Sequence, residues 1–161
     1  MVGKEEFGAF LIIQEEVNVV STFLHRLVEE GLDTVLVSPQ DVDITSDADI
    51  TILEPDRENR AIRTDGLVFL LRHLTSHLRR GEGKAVVIFG FQEFKQGNDF
   101  YDLTNFIGRL YEEACVNRGI VLIFTDPRSF TQQELAFLER ETIVLESPEQ
   151  LFASTGSETV K

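Results

Sequence analysis

Two hydrophobic periodicities alternate along this chain. Residues 9–13 form an unbroken apolar run, which predicts a strand buried on both faces, as in parallel sheets covered by helices. Val17, Val20, Leu24, Leu27 and Val28 then recur at helical spacing, and Gly31 stands where a left-handed C-terminal cap is expected. Residues 35–37 make a second apolar run, ended by Ser38 and Pro39. An Asp-rich polar stretch, 40–49, separates it from a third run at 50–53 that Pro55 closes. Thr64 and Asp65 carry oxygens suited to an N-cap. The helix they predict has Val68, Leu71, Leu74 and Leu78 on its apolar face and Gly81 and Gly83 beyond its end.

The second half repeats the pattern. Residues 85–89 are wholly apolar and predict a strand, followed by a loop over 90–98. A long helix follows with Leu103, Phe106, Ile107, Leu110, Ala114 and Cys115 inward and Gly119 at its end. Residues 120–124 read as another buried strand, broken by Asp126-Pro127. Thr131 and Glu134 form a capping box that opens a helix through Arg140, and 143–145 make a last strand. Strands and helices that alternate through short loops require right-handed crossovers and a mostly parallel sheet. The expected fold is therefore α/β, a three-layer α/β/α sandwich of RecA or Rossmann type. It forms one domain over residues 1–146, with a tail over 147–161 expected to fray.

Charge narrows the range of partners. The chain of 161 residues carries 28 acidic and 15 basic side chains, a net charge of -13, so its field repels nucleic-acid backbones and anionic membrane surfaces. The lone cysteine, Cys115, allows no internal disulfide and suits a reducing compartment. Residues 1–7 include Lys4, Glu5 and Glu6 and lack the order of a signal peptide. No apolar run approaches the ~20 residues of a membrane span. The expectation is a cytoplasmic protein.

The first strand, turn and helix have the arrangement in which nucleotide-binding α/β proteins carry a phosphate loop, but the loop chemistry is missing. Laid over G-x-x-x-x-G-K-[ST], the turn has Gln14 and Val19 at the glycine positions and Val20 at the lysine. Only Ser21 matches, and Glu15 and Glu16 face the position of an incoming phosphate. Ligands in such sheets bind beyond the strand carboxyl ends, which brings residues 14–18, 38–41, 90–94 and 125–128 into consideration. A hydrolase also needs a carboxylate at the end of the 85–89 strand, and Phe89 stands there.

Other groupings have simpler readings. His73 and His77 are four apart but have no intervening glutamate or neighbouring cysteine, so they are read as two exposed histidines beside Arg72, Arg79 and Arg80. Those arginines are read as a solvated helix face, with docking of an acidic surface as the alternative. Asp41, Asp43, Asp47 and Asp49 lack the spacing of a calcium loop and read as a solvated acidic stretch. Neither a metal site nor a cofactor is expected. Cys115, on an apolar stripe, is read as inert filler.

The stretches G-A-F-L-I, V-L-V-S-P, I-F-G-F, V-L-I-F-T-D-P and E-L-A-F-L-E-R-E together resemble an archaeal family of domains of unknown function, number eight hundred and thirty-five, over residues 8–141. That family resembles, more distantly, the RecA and KaiC ATPases with the phosphate loop lost. Its members typically have aspartate-glycine where this chain has Phe89-Gly90. Some attach the domain to sensory or membrane modules, which implies signalling or scaffolding.

The favoured expectation is a non-catalytic interaction or regulatory module, a homodimer or partner-binding protein. Its contacts would be Phe91, Phe94 and Phe100 if they are exposed, and the alternative has Phe91 and Phe94 folding back to plug the vacated crevice. The rival expectation is a divergent nucleotide or small-molecule binder using Ser21, Ser38 and Asp126.

Overall fold

The computed structural model describes residues 7–14, 16–38, 51–53, 64–95, 97–147 and 150–151. The Asp41 to Asp49 carboxylates and most of the tail lie outside them. The elements run β1 (Gly8–Ile12), α1 (Val17–Glu29), β2 (Asp33–Val37), β3 (Thr51–Leu53), α2 (Thr64–Leu78), β4 (Lys84–Ile88), α3 (Phe100–Asn117), β5 (Ile120–Phe124), α4 (Gln132–Glu141) and β6 (Ile143–Val144). The segment read as a loop before α3 contains a short 3-10 helix, Phe91–Lys95, and another, Pro127–Ser129, follows β5.

The strands form one sheet in the order β3-β2-β4-β5-β1-β6, and each pairing is parallel. Because successive side chains on a strand point to opposite faces, each strand feeds two cores. Phe10 and Ile12 of β1 join Leu36, Val87, Leu122 and Phe124 under α1, against Val20, Phe23, Leu24 and Leu27. Ala9 and Leu11 join Val35, Val86, Val121 and Ile123 on the other face, under Leu74, Ile107, Leu110 and Leu138 of the remaining helices.

This division follows from crossover handedness. The connection from β1 to β2 runs across the sheet one way, while those from β3 to β4, β4 to β5 and β5 to β6 run the opposite way. With a single hand of crossover, the first helix must lie on one face and the other three on the opposite face. The result is the expected three-layer α/β/α sandwich. Among the described residues, no helix is long and apolar enough to cross a membrane.

Local chemistry sets the element ends. At the end of α1, Leu32 N–H bonds the Leu27 carbonyl at 3.0 Å and Gly31 N–H bonds that of Val28 at 2.9 Å. With Gly31 at φ 78°, this is a Schellman cap. Thr131 and Glu134 form the predicted capping box on α4. Two expectations are corrected. The left-handed residue that ends α3 is Arg118, at φ 58°, while Gly119 is small for another reason: a Cβ there would lie 2.8 Å from Leu78 Cδ2 and 3.1 Å from the Lys84 carbonyl oxygen. On α2 the buried stripe is Leu67, Leu74 and Leu78 with Leu71 half-buried, and Val68 projects outward, 48% exposed. Its Cα–Cβ bond is turned about 100° from that of Leu67.

Gly119→Ala is expected to destabilise the protein by about 1–3 kcal/mol, because the added methyl group crowds a backbone carbonyl that cannot rotate away. Urea unfolding checks this, and an unchanged midpoint would contradict the close approach.

Candidate functional site at the strand carboxyl edge

Opposed crossovers direct attention to the carboxyl ends of β1, β5 and β4, where open α/β sheets bind ligands. The chain leaves β4 through Phe89, whose N–H bonds the Val37 carbonyl at 2.9 Å and whose ring is buried in the α1-side core. Gly90 then turns the backbone at φ 74°, a conformation glycine adopts without a Cβ clash. The turn carries Phe91 and Phe94 over the sheet into the opposite core, where both are fully buried.

There the rings form a connected cluster. Phe91 and Phe94 meet edge to face at 5.5 Å between centroids, Phe94 meets Phe106 of α3 at 6.0 Å, and Phe91 stacks on Phe130 at 6.3 Å. Phe100 is half-buried and lies edge-on to Phe130 and to Phe137 of α4, at 6.4 and 5.9 Å. Of the two readings of Phe91 and Phe94, the exposed contact patch is corrected and the inward one holds: both rings pack inward and fill space at the carboxyl edge. Burial is favoured because the 3-10 helix brings both rings against an apolar surface already formed by Phe106 and Phe130.

Polar groups fasten this loop to the one after β5. Gln92 Oε1 accepts from the Thr125 hydroxyl at 3.3 Å and the Asp126 N–H at 3.2 Å. Lys95 Nζ donates to the Ser129 carbonyl at 2.9 Å and to Glu134 Oε1 at 2.8 Å, and it stands 5.0 Å above the Phe130 ring. Asn98, buried, donates to the Phe94 carbonyl at 2.9 Å. Gln92 and Lys95 were not picked out by sequence, since nothing local marks a bridge to positions 33 to 39 residues away.

The three residues proposed as ligand contacts are dispersed. Ser21 is half-buried in α1, Ser38 is buried after β2, and Asp126 follows β5. β4 runs between β2 and β5, so Ser38 and Asp126 follow strands about 10 Å apart, with the Phe89 to Phe91 turn between them. The Asp126 carboxylate is engaged locally. It accepts from the Arg128 N–H at 2.9 Å and from that guanidinium at 3.0 and 2.9 Å, and these bonds hold its pKa below the usual aspartate range.

The other candidate groups also take defined places. His73 is exposed, but His77 is buried, which corrects the expectation of two exposed rings. His77 Nε2 lies 2.9 Å from the Asp33 carbonyl oxygen, so Nε2 carries a proton and fastens the end of α2 to β2. No cluster of three metal-ligating side chains occurs among the described residues. Of the arginine strip, Arg79 pairs with Glu113 of α3 through both its Nε and a terminal nitrogen, while Arg72 and Arg80 are exposed. Arg79 holds the Glu113 carboxyl below its usual range. Cys115 is exposed rather than buried, one position past the inward-facing Ala114, and desolvation raises its thiol pKa.

The Lys95 bridge gives a pH-dependent prediction. Its hydrogen bond, followed by that of the Thr131 N–H, keeps Glu134 charged at lower pH than an ordinary glutamate. A depressed carboxylate contributes stability above its unfolded pKa and loses it as pH falls through the folded value. Between about pH 6 and pH 3, spanning the unperturbed glutamate value of about 4.3, wild type should lose more stability than Lys95→Met. Denaturant unfolding at the two pH values checks this, and equal losses would contradict a functioning bridge.

No curated protein matches the chain. The profile of the family described as Protein of unknown function (DUF835) matches residues 13–142, about four-fifths of the sequence. The matched span runs from just after β1 to just before β6 and so takes in the Phe89 to Phe94 turn and the loop after β5. The chain belongs to the DUF835 family.

Proposed function

We propose that this protein is a non-catalytic interaction or regulatory module of the cytoplasm, built on a RecA-like sheet whose phosphate machinery has been replaced by packing. One observation carries the reading: Phe89, only 2% exposed, occupies the end of β4, the position where a hydrolase of this architecture needs a carboxylate. A phenyl ring neither ligates a cation nor orients water. The adjoining turn sends Phe91 and Phe94 into the core and ties itself to the loop after β5 through Gln92 and Lys95. Opening space for a triphosphate would require desolvated aromatic surface to be exposed again, an unfavourable exchange.

The RecA-like part of the proposal is supported by the placement of β1 inside an all-parallel sheet and by the passage of α1 over the face opposite the other helices. This leaves the amino end of α1 at the carboxyl edge, where a phosphate loop would stand. At that point the acidic Glu16 is the N-cap, and it is exposed. Its charge and the net charge of -13 both oppose an anionic ligand.

A second reading, a divergent nucleotide or small-molecule binder, draws on the cap itself. Glu16 forms no side-chain cap hydrogen bond, and Ser21 lies in the second turn of the same helix. Helix N-terminal N–H groups of this kind can bind an anion.

A thermal-shift panel of adenine and guanine nucleotides, with and without magnesium, separates the two. At 100 times its dissociation constant a native-state ligand adds about 2.7 kcal/mol of stability, a readily measured rise in melting temperature. The module reading predicts no rise with any nucleotide. A magnesium-dependent rise that Ser21→Ala abolishes would overturn it.

A further inference from the structure

We propose that the trough across the outer surface of α2, α3 and α4 docks a cationic amphipathic helix from a partner protein. This inference rests on the interaction-module reading and names its surface and the chemistry of its partner.

Gly108 lines the trough. α3 packs against α2 on one side and α4 on the other, and Gly108 lies near its middle. A glycine in a helix interior costs about 1 kcal/mol relative to alanine. Among the described residues nothing requires that cost, because a Cβ at Gly108 would have no heavy atom within 4 Å beyond its own helix backbone. Gly108 lines a hollow of about 820 Å³, walled by Val68 and Leu71 of α2 and Phe137 of α4, with Tyr101 also lining it. Gly108 also lines a second hollow of about 310 Å³ against Tyr111, Arg140 and Thr142. The two hollows share Gly108, Glu112 and Glu141, so the depression runs along α3. Such an elongated shape suits a chain segment better than a compact small molecule.

Apolar surface is concentrated beside this depression. Val68 and Tyr101, which line it, are 48% and 71% exposed, unusual values for large apolar side chains on neighbouring helices. The span from Tyr101 to Glu112 covers about 16 Å of helix axis, roughly three turns of an occupant.

Charge identifies the occupant. Along the trough the carboxylates Asp102, Glu112 and Glu141 outnumber the guanidiniums of Arg109 and Arg140. The whole chain adds a field of the same negative sign, with a net charge of -13. A second copy would bring the same net charge to the contact, whereas a cationic partner is attracted from a distance. Apolar walls with an acidic rim match a helix with one apolar stripe flanked by lysine or arginine, the helix-in-groove mode of recognition.

The test uses the full chain and a fluorescein-labelled peptide of about 18 residues with leucine and lysine in amphipathic helical order. Controls are a scrambled peptide of the same composition and a version with glutamate in place of lysine. Fluorescence anisotropy should show the lysine peptide binding at least about tenfold more tightly than either control. Gly108→Gln places a long side chain in the trough while improving helix propensity. It should weaken binding about tenfold with an unchanged or raised melting temperature, and the paired change Glu112→Lys and Glu141→Lys should weaken it similarly. Equal binding of the lysine and scrambled peptides, or indifference to Gly108→Gln, would overturn the proposal. A dimer of this chain that Gly108→Gln splits, without peptide preference, would also overturn it by making the occupant a second copy. These failures concern the trough alone, whereas a nucleotide response in the thermal-shift panel would instead defeat the underlying module reading.

Discussion

Desolvation of aromatic rings at the carboxyl end of β4 constrains everything else at that edge. Phe89 enters the core beneath α1, and one left-handed glycine later Phe91 and Phe94 enter the core beneath α3. The backbone is thus anchored on both sides of the sheet within six residues. Aromatic pairs of this geometry contribute about 0.5–1.5 kcal/mol each beyond the area they bury, and here they join the turn, α3 and the loop after β5 into one unit. Gln92, Lys95 and Asn98 complete the unit by satisfying polar groups around it.

Once this edge is packed, its remaining polar groups serve the fold. Asp126 bonds its own loop and Arg128, and Glu134 divides its carboxylate between the Thr131 cap and Lys95. Among the described residues, an open hollow lined by Gly108 lies instead on the α2, α3 and α4 face. The sheet therefore holds its helices in fixed positions, and the proposed docking of a partner helix would use that scaffold. The acidic field would favour a partner of positive charge.

Much of this architecture was legible because a parallel sheet leaves a strong local mark. The runs at 85–89 and 120–124 stood within one residue of β4 and β5, since strands buried on both faces need apolar residues throughout. The Thr131 and Glu134 box and the Gly31 cap were equally readable, as their partners lie within a few residues in sequence. Strand order was not readable, because it depends on contacts between distant segments. The face of α2 was misjudged by one residue, Val68 for Leu67, because both are apolar and only the tertiary contact distinguishes them. His77 and Cys115 exchanged their expected environments for a similar reason: burial depends on what packs across from a helix, and β2 reaches over His77. At the candidate site Phe89 announced the missing carboxylate by identity alone. Whether Phe91 and Phe94 faced water or core could be decided only by Phe106 and Phe130, supplied by other elements.

The most direct measurement of the central claim is the unfolding free energy of Phe94→Ala in urea. A ring buried among Phe91, Phe106 and the strand residues predicts a loss of about 3–5 kcal/mol, from transfer and the cavity left behind. A loss below about 0.5 kcal/mol, typical of an exposed side chain, would contradict a carboxyl edge closed by aromatic packing.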